Sequence, residues 1–138
     1  MKHIKLYEQE EHIVKKYNDG TIKYERWFKN YHPHRLDGPA DISYYPDGKV
    51  QYMHWYQNGK QHRLDGPAMI RYNPDGSLYY EIWLQNDKQH RLDGPARIFY
   101  DMDGNIMDAI WYWEGSELPA TNQEEFDALI ELKKLGLI

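Results

Sequence analysis

Three sets of ionisable side chains recur at a fixed offset: His34, Arg35 and Asp37, then His62, Arg63 and Asp65, then His90, Arg91 and Asp93. Histidines could hold a metal ion, and the arginines and aspartates could form a ladder that grips a ligand. If each set occupies the same place in successive hairpins, two strands separate one set from the next, and equivalent side chains lie about 10 Å apart. Zinc ligands must all come within about 2.0–2.1 Å of one ion. His34, His62 and His90 therefore cannot share a metal, and no metal site is expected. The Arg and Asp residues fit a structural duty better. An Asp before Gly-Pro can bond its own turn backbone, Gly tolerates conformations closed to other residues, and Pro fixes the path into the next strand. A site needed once would not be built three times, so Arg35, Asp37, Arg63, Asp65, Arg91 and Asp93 are read as corner residues.

No other constellation points to catalysis. Asp101, Asp103 and Asp108 flank a turn rather than face one another, and the chain holds no nucleophile elbow, phosphate loop or His-Glu-x-x-His. The expectation is a non-enzymatic protein without a cofactor. Acidic residues outnumber basic ones, 22 to 17, for a net charge of -5. That disfavours nucleic acid, whose phosphates are bound through Lys and Arg, and also anionic membranes, although Lys15, Lys16, Lys23, Arg26 and Lys29 make the first part locally basic. Without cysteine there is no disulfide or thiolate site. The segment from Met1 to Glu11 has no apolar leader core, and no stretch approaches the roughly 18 apolar residues of a membrane span. A cytoplasmic protein is expected.

The elements that must position these residues follow from an internal repeat. His-Arg-Leu-Asp-Gly-Pro-Ala stands at 34–40, 62–68 and 90–96, identical and spaced by 28 residues. One period earlier, Tyr17-Asn18-Asp19-Gly20 matches Tyr45-Pro46-Asp47-Gly48, and Trp27 matches Trp55. Four units result, about 12–39, 40–67, 68–95 and 96–118, in a single domain spanning 1–138. Asp-Gly at 19–20, 47–48, 75–76 and 103–104 predicts one turn of each unit, a type I turn with Gly in the left-handed position of a bulge. Asn58-Gly59, Asn86-Asp87 and Glu114-Gly115 predict the other, a two-residue hairpin.

Between the turns, polar and apolar residues alternate as in strands. The expected core face carries Ala40, Ile42, Tyr44, Val50, Tyr52, His54 and Tyr56 and their equivalents, which include Ile106. The opposite face carries Asp41, Ser43 and Gln51 with a row of Trp27, Trp55, Trp83 and Trp111, each Trp packing near the next Leu, Trp55 over Leu64 for instance. Thr121 and Glu124 then form a capping box for a helix over about 121–135, which caps the last hairpin. The fold class expected is an all-β repeat, an extended antiparallel meander of four hairpin units closed by one helix.

With Tyr-x-Pro-Asp-Gly, Trp, Asn-Gly-Lys and Arg-Leu-Asp-Gly-Pro-Ala, residues 12 to about 115 resemble the variant MORN-type repeat proteins, whose tandem hairpins look like one extended sheet. The resemblance implies an origin in tailed bacteriophages or other microbes, and roles in protein scaffolding, dimerisation or phospholipid contact. The function expected is a protein-binding module, a small phage accessory protein that engages and modulates a host protein in the host cytoplasm, with homo-oligomerisation also in view. The alternatives are a phospholipid or membrane-surface module and a small-molecule or nucleotide sponge that stacks bases on its aromatic rings. Since repeated positions serve architecture, partner-binding residues are sought where the repeat is broken by apolar residues, at Tyr45, Met53, Tyr79, Phe99 and Met107.

Overall fold

The computed structural model describes residues 9–138; residues 1–8, which hold most of the N-terminal segment read above as lacking a leader, lie outside it. In chain order the elements are β1 (Glu10–Lys16), β2 (Ile22–Lys29), β3 (His32–Pro33), β4 (Asp41–Tyr44), β5 (Val50–His54), β6 (Tyr56–Gln57) and β7 (Lys60–Gln61). They continue with β8 (Met69–Tyr72), β9 (Leu78–Ile82), β10 (Leu84–Gln85), β11 (Lys88–Gln89), β12 (Arg97–Tyr100), β13 (Ile106–Trp113), β14 (Ser116–Leu118) and one helix, α1 (Gln123–Lys134). The protein is thus mostly antiparallel sheet with a C-terminal helix. Its main sheet runs β1-β2-β4-β5-β8-β9-β12-β13-β14, with β3 on β2, while β6-β7 and β10-β11 form two small ribbons.

Turn chemistry sets these elements. Gly20, Gly48, Gly76 and Gly104 take φ of +83 to +90°, open to glycine at no steric cost, and Asp19, Asp47 and Asp75 each accept the backbone N–H two residues on. At the other turns both central residues have positive φ, as at Asn58 (49°) and Gly59 (80°), the pattern of a two-residue hairpin. Asn30 (48°) and Tyr31 (67°) make the same turn without a glycine, which the sequence reading missed.

The expected faces need correcting. A bulge beside each Asp-Gly turn shifts the register, so that Ser43 faces Tyr52 but Tyr44 faces Val50. The extra residue flips the returning strand, and Ile42 opposes Met53 rather than sharing a face with Tyr52 and His54. Glu25 opposes Ile42, and Ile98 opposes Ala109. Trp27 and Trp111, two residues along the same strands, therefore lie on the Ile42–Ile98 face and not opposite it. Burial follows: Ala40, Ala68, Ala96, Ile70, Ile98 and Trp111 are buried, whereas Ile106, expected in the core, is 58% exposed.

The helix N-cap falls one residue later than expected, at Asn122 rather than Thr121. Asn122 is the N-cap and accepts from Glu125 N–H at 3.0 Å, while the Glu125 carboxylate accepts from Thr121 N–H at 2.8 Å. This is a capping box displaced by one. Phe126 and Ile130 face inward and join Trp111 and Leu118 in a buried cluster.

Candidate functional site

The repeated segment forms a corner in which nearly every side chain is engaged. The Arg35 guanidinium lies 3.8 Å from the Trp27 ring centre, Arg63 4.0 Å from Trp55 and Arg91 4.0 Å from Trp83. Each arginine donates from Nε to the Asp two residues on, at 3.0, 3.2 and 2.9 Å, and from Nη1 to the Pro carbonyl four residues on, at 3.2, 3.1 and 3.2 Å. A side chain on the glycine between them would crowd this stack: a Cβ on Gly66 would stand 2.5 Å from the Arg63 Cζ, one on Gly94 2.8 Å from that of Arg91, and one on Gly38 3.1 Å from that of Arg35. Pairing with Arg91 holds the Asp93 carboxyl below its ordinary range. Arg63 rather than Leu64 lies over the Trp55 ring, and Leu64, 70% exposed, stands at the rim of a groove that Trp55 also lines.

The histidines tie each corner to the following hairpin. Nδ1 of His34 accepts Asn58 N–H at 2.9 Å, His62 accepts Asn86 N–H at 3.1 Å, and His90 accepts Glu114 N–H at 3.0 Å. Backbone bonds run beside them, from Gly59 N–H to the Pro33 carbonyl and from Gly115 N–H to that of Gln89. The Arg, Asp and His of each corner thus all make hydrogen bonds within the protein, and Trp111, which has no following Arg, receives Phe126 instead, with ring centres 4.9 Å apart.

The five apolar departures do not form one patch. Tyr79 and Phe99 meet edge to face at 6.2 Å, with Tyr80 against both. Phe99 shares its row with Tyr80 and Asp108, on the face away from the Trp row. Met53 instead opposes Ile42 and Ile70 on the Trp side. The Tyr45 hydroxyl donates to the Tyr72 carbonyl at 2.8 Å, as Tyr17 does to that of Tyr44, so this ring braces one hairpin on the next. Met107 sits in the bulge of β13 and is 70% exposed.

Sequence reasoning missed a second exposed set. Leu36, Leu64 and Leu92 project from the three corners at 76%, 70% and 58% exposure. Open grooves separate the corners: one of about 420 Å³ is bounded by Arg35, Leu36, Trp55, Arg63 and Leu64, and one of about 280 Å³ by Leu64, Trp83, Arg91 and Leu92. The signal that could have found them was the absence of any structural task for Leu in an otherwise occupied motif.

His54 is set into the opposite face. It stacks on Tyr52 at 4.5 Å, and its Nε2 is buried without a partner. Burial holds its pKa below the ordinary 6.5 and Arg71 adds to this, against the pull of Asp41 directly across. The folded state keeps the ring neutral, so its contribution is complete above about pH 6.5 and is lost as pH falls through the lowered folded value. Urea midpoints measured across that interval should fall less steeply for His54→Gln than for the parent; equal slopes would show that His54 does not titrate on unfolding.

Among the described residues no three His, Asp or Glu side chains gather as a metal site, and no helix is long and apolar enough to cross a membrane. Comparison with family models, with curated proteins and with solved structures found no match.

Proposed function

We propose that the protein is a non-enzymatic module that binds another protein, built from four 28-residue hairpin units in one antiparallel meander. The observation that carries this reading is the leucine row. In His-Arg-Leu-Asp-Gly-Pro-Ala the His holds the next turn, the Arg covers the Trp, the Asp and the Pro carbonyl accept from the Arg, the Gly admits it and the Ala is buried. Leu and Asp are the exposed residues of the segment; the Asp is bonded to the Arg, which leaves Leu as the exposed side chain with no such task, and it is the same residue in all three copies. Successive units place these leucines about 10 Å apart. Seven residues of α-helix rise about 10.5 Å, so a partner helix with an apolar residue at every seventh position would seat one side chain in each groove. In line with the resemblance to phage repeat proteins, the partner is a host protein engaged by a small phage accessory protein.

The test compares two variants in affinity capture from bacterial lysate. Leu36→Ser/Leu64→Ser/Leu92→Ser should keep the melting temperature, because the side chains are exposed, and lose the captured protein. Tyr79→Ala/Phe99→Ala should retain it. The opposite pattern moves the site to the aromatic patch, and a parent protein that captures no saturable partner removes the binding function itself.

A further inference from the structure

We propose that two copies of this chain pair through β1, antiparallel about a two-fold axis at Ile13, so that their main sheets join into one. Among the described residues β1 has a neighbour on one side only, and all seven of its residues are exposed. A strand edge of this kind offers unpaired N–H and C=O groups to any chain that can match it, and proteins usually blunt it. This one is not blunted by irregularity. The register shift next to it belongs to β2, where Tyr24 faces Lys15 and Ile22 faces Lys16, so the extra residue is Lys23 and β1 itself is regular.

The residues of β1 read Glu10-Glu11-His12-Ile13-Val14-Lys15-Lys16. Turned about Ile13 and laid antiparallel on a second copy, Glu10 opposes Lys16 of that copy, Glu11 opposes Lys15, and His12 opposes Val14. All four charged residues then meet the opposite sign, and directly opposed pairs of this kind stabilise strand pairing. Parallel pairing in register would set Glu on Glu and Lys on Lys.

The backbone selects the same register. Trp27 N–H donates to the Ala40 carbonyl, away from β1, so His12 opposite Trp27 turns its own N–H and C=O outward, as does Val14 two residues on. The axis at Ile13 sets outward-facing His12 against outward-facing Val14. A slip of one residue would face these groups with ones already bonded to β2, and a slip of two would leave charges opposite apolar residues. Ile13 and Val14, 43% and 42% exposed, lie at the centre.

The other open edge has no such match. On β13 the stretch Ile106–Ala109 is interrupted by the bulge at Met107 and carries Asp108 as its one charge. Bulges twist an edge out of pairing geometry, so closed two-fold pairing through β1 is favoured over open head-to-tail growth. A seven-residue strand interface is at the small end of specific contacts, and association is weak and reversible.

The test is sedimentation equilibrium of the full chain over a concentration series. The parent should show a monomer–dimer equilibrium that weakens with salt. Glu10→Lys/Glu11→Lys and Lys15→Glu/Lys16→Glu, each checked for an unchanged melting profile, should dimerise about 100-fold more weakly alone, since four attractive pairs become repulsive. Mixed in equal amounts they should recover the parent's association, because every pair is again of opposite sign. If a reversal lowers melting, Val14→Pro replaces it: this removes an outward N–H that makes no bond to β2 and should leave a folded monomer. A parent that is monomeric throughout, open-ended polymers, reversed variants that dimerise like the parent, or a mixture that stays monomeric would each overturn the proposal.

Discussion

Phe126→Ala should lower the stability of the C-terminal end by about 3–5 kcal/mol, the cost of emptying a buried aromatic site, and should release α1 from the sheet. Phe126 is fully buried, against Trp111, Leu118 and Ile130. Twelve residues of helix hold together poorly in water without tertiary contacts, so the cap bonds at Asn122 cannot keep α1 formed once its anchor is gone. Trp111, which has no arginine to cover it, is then uncovered as well. β13 and β14 lie at one margin of the main sheet and β1, β2 and β4 toward the other, so hydrogen exchange should quicken over α1, β13 and β14 and stay unchanged over β1, β2 and β4. Circular dichroism should show the helical signal lost before the sheet unfolds. Loss of protection spread evenly to β1 would mean that the sheet unfolds as one block.

Arg63→Ala and Gly66→Ala should each cost about 2–3 kcal/mol, and the double variant no more than either alone. The Arg63 guanidinium lies 4.0 Å from the centre of the Trp55 ring, a contact worth about 0.5–2 kcal/mol. Its bond to the Pro67 carbonyl, at 3.1 Å, adds about 1.5 kcal/mol as a charged hydrogen bond. A methyl group on Gly66 would stand 2.5 Å from Cζ and drive the arginine off its seat, so either substitution destroys the same arrangement. Gly66 is not among the positive-φ glycines, and its intolerance is steric. Asp65 is a weaker partner: its side chain is 89% exposed, and its loss should cost under about 1 kcal/mol. Chemical denaturation of the three variants gives the coupling directly, and additive costs would mean that Gly66 serves a purpose other than admitting Arg63.

The turns were legible because their residues are chosen by backbone conformation alone: Asp47-Gly48 and Asn58-Gly59 announce themselves. The helix and its capping box were legible to within one residue for the same reason. What the sequence concealed depended on a count. One bulge residue beside each Asp-Gly turn exchanges the faces of the returning strand, and nothing in the alternation of Gln51, Tyr52 and Met53 reveals which of them is extra. The Trp row was therefore placed on the wrong side, and Tyr79 and Phe99 were grouped with Met53 although the sheet divides them. The Arg–Trp stack was hidden because the two-residue turn at Asn58-Gly59 was read as setting the apolar Leu64 diagonally across from Trp55, while the planar cation next to it fits a flat ring better. Leu64 was thereby released to the surface, where the candidate binding residues now lie.

The succession of β1, β2, β4, β5 and so on across the main sheet has a mechanical consequence. β1 and β14 lie at opposite margins of that sheet, and its interstrand hydrogen bonds run from one margin to the other. A pull applied through β1 and β14 loads those bonds in series, one ladder after another, so the weakest yields first and the rest follow singly. Under tension the protein should therefore lengthen in successive small increments at low force, as a zip fastener opens, rather than resist and rupture as strands sheared along their length would.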